Sequence, residues 1–269
     1  EEAWQVATEI GLPVVIKPRC GNQGRGVSVG LTTQDEVFQA YSVAISEEEE
    51  VVVERCLAGD DYRLLVIGGE LIAAARRCAP CITGDGSSTI EKLVQEENKN
   101  PRRCDDHAGS LSLLCLDAAA EVALREQGFS KESIPNDGQL VLLRRNANLS
   151  TGGTAEDVTD LVHPNTIRLA IDAVRVVGLD IAGVDIMATR IDQPLSTQHG
   201  GVVEINACPG LRMHLEPTVG GSRDVGSAII NTLFATGDDG RIPVAAVTGT
   251  NGKTTVTRLL AHVASAGGA

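Results

Sequence analysis

Two carboxylates and an amide sit inside apolar runs near the carboxy-terminal third of the chain. Asp185 lies in Gly183-Val184-Asp185-Ile186, and Glu204 and Asn206 lie in Val202-Val203-Glu204-Ile205-Asn206. Side chains alternate along a strand, so Glu204 and Asn206 share one face. With Asp185 on the neighbouring strand, three oxygen donors converge, a hard set suited to Mg²⁺ that leaves positions for phosphate oxygens and water. The alternative is a pair of polar strand edges, but carboxylates in such apolar surroundings are costly unless paired or metal-bound.

Other residues supply phosphate-binding and oxyanion chemistry. Lys17 precedes the glycine run Gly21, Gln23, Gly24 and Gly26, which stands between two strands and not between a strand and a helix. That placement argues against a dinucleotide fold; backbone N–H groups of such a hairpin loop can instead close over a triphosphate, with Lys17 adding a point charge. Taken alone, the run reads equally as a structural turn. The segment Val51 to Asp61 is an apolar strand running into a polar hinge, where Glu54 to Leu57 can border an adenine and Asp61 can accept ribose hydroxyls; it also reads as a surface turn. After the acids comes Cys208-Pro209-Gly210-Leu211-Arg212, where the Gly210 N–H can face a developing oxyanion and Arg212 can fork a carboxylate, a plain turn being the alternative.

Ser150, Thr151, Gly152 and Gly153 form a polar loop suited to a substrate carboxylate or a phosphoryl group, although spacing alone makes it only a loop. Near the end, Gly249, Thr250, Asn251, Gly252, Lys253, Thr254 and Thr255 follow an apolar run and precede a helical one. Only two residues separate Gly249 from Gly252, so the standard phosphate-loop spacing is not met, yet stacked N–H groups, a lysine for phosphates and Thr254 for Mg²⁺ are all present. His107, beside Asp105 and Asp106, is a candidate base or a plain surface residue.

These groups need elements to position them. Patterning predicts strands at Leu12 to Lys17, Val27 to Leu31, Val51 to Glu54, Leu140 to Arg144, Gly183 to Thr189, Gly201 to Asn206 and Ile242 to Val247. A hairpin is expected at Tyr62 to Arg77 through Gly68-Gly69. Helices are expected at Thr33 to Ala44, Thr89 to Asn98, Ala118 to Gln127, Asn165 to Val177, Val225 to Leu233 and from Thr255 to about Ser265, and Asn100 to Leu116 reads as irregular.

Composition sets the class. The chain has 269 residues, 42% of them apolar, with 29 glycines and a net charge of −13. It is long enough for one large or two ordinary buried cores. Its negative charge opposes binding to nucleic acid or an anionic membrane, and its 2% aromatic content leaves few stacking platforms. No apolar run reaches the roughly 18 residues of a membrane span, and the expected compartment is the cytoplasm. Seven cysteines, an odd number, fit free thiols better than a disulfide framework. Cys78 and Cys81 form a C-x-x-C pair, but zinc would need two ligands more from Cys104, His107 and Cys115. Starting on Glu1 and stopping inside a helical run, the sequence reads as a piece of a larger protein.

Lys17, the hinge from Glu54 to Asp61, and Asp185, Glu204 and Asn206 followed by Pro209-Gly210 together resemble the ATP-grasp ligase family. The segment Gly249 to Thr255 is similar to the phosphate loop of Mur-type peptide ligases. That order of modules, with the phrases Pro18 to Val27, Gly59 to Leu65, Arg144 to Thr159 and Pro209 to His214, resembles the cyanophycin synthetase family. The resemblance implies an α/β chain with an α+β ATP-grasp fold of two lobes around a nucleotide cleft, residues 1–57 in the small lobe and 58–236 in the large one, with 241–269 starting a Mur-type domain. It implies an ATP- and Mg²⁺-dependent peptide synthase, homo-oligomeric as a whole enzyme, that joins aspartate to a poly-aspartate backbone and then arginine to each aspartate side chain, with a β-aspartyl-arginine polymer as primer. Departures from the family fall at Cys104-Asp105-Asp106-His107, at Leu113-Leu114 where a basic residue is expected, and at Cys20, Cys78 and Cys81. Two other readings stand beside this one: a different ATP-grasp peptide ligase, and a non-catalytic nucleotide-binding remnant.

Overall fold

The computed structural model describes residues 1–20, 25–104, 109–234, 237–238, 240–241 and 244–267. The chain divides into two units, Glu1–Ile229 and Ile230–Ala269.

The first unit begins with α1 (Glu2–Ile10), a helix that the pattern reading did not anticipate. Strand β1 (Val14–Pro18) then pairs antiparallel with both β2 (Ser28–Leu31) and β3 (Val51–Arg55), giving the order β2-β1-β3. Between β2 and β3 runs α2 (Gln34–Glu47), which starts where expected because Thr33 and Glu36 form a reciprocal capping box. Val14, Ile16 and Leu31 bury against Ala7 of α1 and Val37, Ala40 and Ala44 of α2. Alternation therefore turns Val15 and Lys17 to the face away from both helices.

The larger part opens with the expected hairpin, β4 (Asp60–Ile67) and β5 (Glu70–Cys78), joined through Gly68 and Gly69 at φ 59° and 83°. An insertion follows: β6 (Cys81–Thr83), α3 (Ile90–Glu97), β7 (Arg103–Cys104), β8 (Leu111–Ser112), α4 (Ala118–Glu126) and β9 (Leu140–Leu142). It has its own core of Ile82, Ile90, Leu124, Val141 and Leu143. The chain then returns as β10 (Thr154–Asp157), α5 (Pro164–Val177), β11 (Ile181–Ala188), β12 (Gly201–Asn206), the short α6 (Arg212–Leu215) and α7 (Val225–Leu233).

Five of these strands form one antiparallel sheet in the order β10-β5-β4-β11-β12. One face presents Leu64, Val66, Ala182, Val184 and Ile186 to Ala170 and Val174 of α5. Period-2 alternation sends the intervening residues Asp61, Arg63 and Asp185 to the opposite face.

The second unit contains α8 (Lys253–Ala266), in agreement with the predicted helix. The buried strand expected at Ile242 to Val247 is not found. Ile242 and Pro243 lie outside the described residues, while Val244 to Val247 carry no strand and Val244 is 84% exposed. A lone strand leaves its N–H and C=O groups without partners, and the described residues of this unit contain no second strand to supply them. No helix among the described residues is long and apolar enough to cross a membrane.

Candidate active site

The ladder between β11 and β12 sets Asp185 directly opposite Glu204 and Gly183 opposite Asn206. The three residues expected to share a face therefore do so, on the side of the sheet away from α5. The register shifts after Asp185, so that Ile186 pairs with Val202. Such a bulge ends regular pairing and re-aims side chains next to the acidic pair.

On the other side of β11, β4 places Arg63 opposite Asp185, and β5 places Arg77 opposite Asp61. The Arg63 guanidinium grips both oxygens of Asp185, Nη2 lying 3.0 Å from Oδ2. Arg77 bridges the two acids, with Nη2 3.1 Å from Asp185 Oδ2 and 2.6 Å from Asp61 Oδ1. Arg63, Arg77 and Asp185 side chains are only 9–10% exposed. In this poorly solvated row each charge depends on its neighbour: burial raises the Asp61 carboxyl pKa while Arg77 pulls it down. His214, 2% exposed, is pushed to about 4 by burial and by the Arg63 charge, so its imidazole is neutral at pH 7.

Asp61 thus stands at the start of β4, held by Arg77, and not on the polar hinge turn the sequence suggested. The hinge is the stretch Cys56 to Gly59, and it is fastened to the site. Gly59 has φ 120°, and a Cβ there would lie 2.3 Å from the Ala188 carbonyl carbon, so only glycine lets the chain pass the end of β11. Leu57 covers β12, its Cδ1 3.0 Å from where a Gly201 Cβ would stand. Just before the hinge, Lys17 Nζ lies 2.8 Å from Glu54 Oε2.

The turn after the acids packs onto the same face. A Cβ on Gly183 would meet Pro209 at 2.8 Å and Arg63 Cδ at 2.9 Å, so Pro209 and Arg63 both lean on that bare position and Gly210 follows beside them. Arg212 opens α6 and donates from Nη1 to the Gly109 carbonyl at 3.1 Å. The loop Ser150 to Gly153 is held from below by Arg103, whose Nη1 donates to the carbonyls of Ser112 and Gly152 at 2.7 and 3.2 Å. The Thr151 hydroxyl donates to Asn146 Oδ1 and to the Asn148 carbonyl within its own loop. Gly21, Gln23, Gly24 and His107 lie outside the described residues; Gly26 packs on Pro18.

In the second unit the loop from Gly249 ends at Gly252, the N-cap of α8, with φ 78°. The Lys253 ammonium folds back onto the Gly249 and Thr250 carbonyls, and Thr254 and Thr255 follow in the first helical turn. None of the seven cysteines forms a disulfide, as expected, and burial raises the Cys78 and Cys81 thiol pKa values.

Of the three expected donors, Glu204 and Asn206 offer oxygens suited to a magnesium ion, whereas both Asp185 oxygens are held by Arg63 and Arg77, so Asp185 would join only on releasing a guanidinium. Carboxylate and amide oxygens are hard ligands, while the Asn206 amide nitrogen, buried with no partner among the described residues, is a donor that lacks an acceptor. Among the described residues no three acidic, histidine or cysteine side chains cluster as a metal site, so water and phosphate oxygens would complete the shell. Sequence reasoning missed Arg63 and Arg77. A signal was available for the first: Arg63 interrupts the apolar run Tyr62 to Ile67, and a buried guanidinium requires a carboxylate.

Residues 136–231 match the RimK-like ATP-grasp domain family, and residues 1–63 match the ATP-binding domain of the carbamoyl-phosphate synthase L chain. The cyanophycin synthetase of Geminocystis herdmanii is 45% identical over 98% of this chain. The chain is an ATP-grasp relative of the cyanophycin synthetases. That of Trichormus variabilis is 46% identical over 94% of the chain, and a glutathione biosynthesis bifunctional protein of Clostridium perfringens is 35% identical over 82%. The chain spans about 30% of the length of these relatives, matching 30%, 28% and 29% of the three. The crystal structure of a bifunctional glutathione synthetase from Pasteurella multocida superposes with TM-score 0.60 at 35% identity, covering 83% of this chain and 30% of that one. The ATP-grasp fold expected from the sequence is therefore present.

Proposed function

We propose that this chain carries the aspartate-adding ATP site of a cyanophycin synthetase and the beginning of its arginine-adding site. The observation that carries the reading is the opposed pair Asp185 and Glu204, with Asn206 on the same face, beside the Arg63 and Arg77 guanidiniums. Mg²⁺ held by Asp185, Glu204 and Asn206 would neutralise triphosphate charge. Lys17 and the glycine hairpin hold phosphates, the segment Glu54 to Leu57 borders the adenine, and Asp61, once released by Arg77, takes the ribose. The terminal carboxylate of the polymer, seated on Ser150 to Gly153, attacks the γ-phosphorus and releases ADP. The aspartate amine, with its own carboxylate on Arg212, then attacks the acyl-phosphate carbon. The tetrahedral oxyanion faces the Gly210 N–H, the C–O bond to phosphate breaks, the departing phosphate takes the proton the amine loses, and one amide forms per ATP.

The second phosphate loop, Gly249 to Thr255, serves the arginine step as the start of a Mur-type module. The test is ATP-dependent incorporation of aspartate and arginine into a β-aspartyl-arginine primer by the protein that contains this chain. Both amino acids should enter in alternation, each with release of ADP. ATP binding without incorporation of either would overturn the reading in favour of a nucleotide-binding remnant. The likeness to glutathione-forming proteins supports a second reading, a smaller peptide as product; incorporation of amine into γ-glutamyl acceptors in place of the polymer would select it.

A further inference from the structure

The insertion and α6 are tied together by two arginines that reach in opposite directions. From α6, Arg212 Nη1 donates to the Gly109 carbonyl at 3.1 Å. From the insertion, Arg102 Nη2 donates to the Glu216 and Pro217 carbonyls at 3.2 and 2.9 Å, just past the end of α6. Arg102 Nε lies 3.0 Å from the hydroxyl of Ser110, a residue 6% exposed, and the Arg102 carbonyl accepts the Leu111 N–H at 2.9 Å. Gly109 is pressed into the same corner. A Cβ there would lie 2.8 Å from the Arg102 carbonyl oxygen and closer still to Cys104 Sγ, so packing fixes where the Gly109 carbonyl points. The Glu216 N–H in turn donates to the Arg212 carbonyl at 2.9 Å. These contacts close a ring that runs from Arg102 through Glu216 to Arg212, and through Gly109 and Ser110 back to Arg102.

A guanidinium grips a carboxylate by two parallel bonds only when its plane faces the ligand. Arg212 stands on a helical turn of four residues, too short to hold its own direction. What aims it is therefore the Gly109 carbonyl at the tip of the side chain and the end of α6 at its root, and Arg102 holds both. We propose that Arg102 is a positioning residue that aims Arg212 at the carboxylate of the incoming amino acid, so that the insertion helps to set the amine-side subsite. The proposal rests on the reading of Arg212 as the carboxylate fork of an amide-forming ligase. Lysine is no equivalent at position 102, because one ammonium on a flexible stem lacks the planar fork that spans Ser110 and two carbonyls at once.

The experiment measures KM for aspartate and for ATP, kcat and melting temperature in the protein that contains this chain. The variants are Arg102→Ala, Arg102→Lys, Ser110→Ala and Arg212→Ala, with Arg175→Ala on the exposed side of α5 as a control expected to be neutral. Arg102→Ala should raise KM for aspartate about ten-fold and move KM for ATP by less than about two-fold, with Arg102→Lys recovering only part of the loss. Ser110→Ala removes a single bond of the ring and should raise the same constant about two-fold, which keeps the test decisive if Arg102→Ala does not fold. In an Arg212→Ala background, Arg102→Ala should add nothing further, as for two residues that act through one contact. An unchanged KM for aspartate in Arg102→Ala and Ser110→Ala, equal rises for aspartate and ATP, or additive effects of Arg102 and Arg212 overturn the proposal and leave the ligase reading intact. A wild-type protein that joins another amino acid in place of aspartate, with a KM for it that depends on Arg102, does the reverse.

Discussion

At the scale of single residues, the first unit holds a row of charges across four strands: Glu204 opposite Asp185, Asp185 clamped by Arg63 and Arg77, and Arg77 reaching Asp61. Burying such a row is costly unless each member has its counter-charge. Removing one charge at its solvent-facing end changes chemistry more than stability. We expect Glu204→Gln to abolish ATP-dependent aspartate addition while arginine addition remains measurable, with a melting temperature within a few degrees of wild type; a loss confined to arginine addition would place the metal elsewhere. His214 gives a pH test. Its folded pKa of about 4 lies below the ordinary histidine value, so the unfolded chain binds the proton first. The corresponding stability is fully present above about pH 6.5 and is lost as pH falls toward 4, up to about 3 kcal/mol in total. His214→Gln has no such titration, so urea midpoints measured from pH 7 to pH 4 should fall less steeply in the variant than in the wild type.

At the scale of elements, local signals read well where the chemistry was local. The Thr33 and Glu36 capping box, the Gly68-Gly69 hairpin and the left-handed Gly178 closing α5 each sit where side-chain chemistry and glycine spacing put them. Thr33→Ala should cost about 1 kcal/mol, read as a shift in the denaturant midpoint. The hinge is less tolerant. Gly59 combines φ 120° with a backbone neighbour that a methyl group would overlap, so Gly59→Ala should destabilise by more than about 2 kcal/mol and raise KM for ATP through a displaced Leu57. An unchanged KM with lowered stability would show that the hinge does not border the nucleotide. Helix α1, strands β6 and β10 and the parallel bridge between β7 and β8 escaped the sequence reading because they are short, or because their burial depends on partners far along the chain.

At the scale of the whole molecule, the chain has two units, and each proposed nucleotide site lies in its own. Separate sites predict separable losses. Lys253→Ala should remove arginine addition and leave aspartate addition, since its ammonium lies among the Gly249 and Thr250 carbonyls of the second unit; an unchanged arginine rate would show that this loop does not hold the second ATP. The sequence alone determined which residue types were available for phosphate, metal and oxyanion chemistry, and through alternation that Glu204 and Asn206 share a face. Only the tertiary structure decided that β11 stands between β12 and β4, which puts Asp185 against Glu204 on one side and Arg63 on the other. It also placed Asp61 beyond the hinge, on β4 in the charge row, and left Val244 to Val247 without a sheet. The reason is the same in each case: periodicity is a property of one segment, whereas register, counter-charge and strand pairing are properties of two segments far apart in the chain, and no local pattern specifies the second.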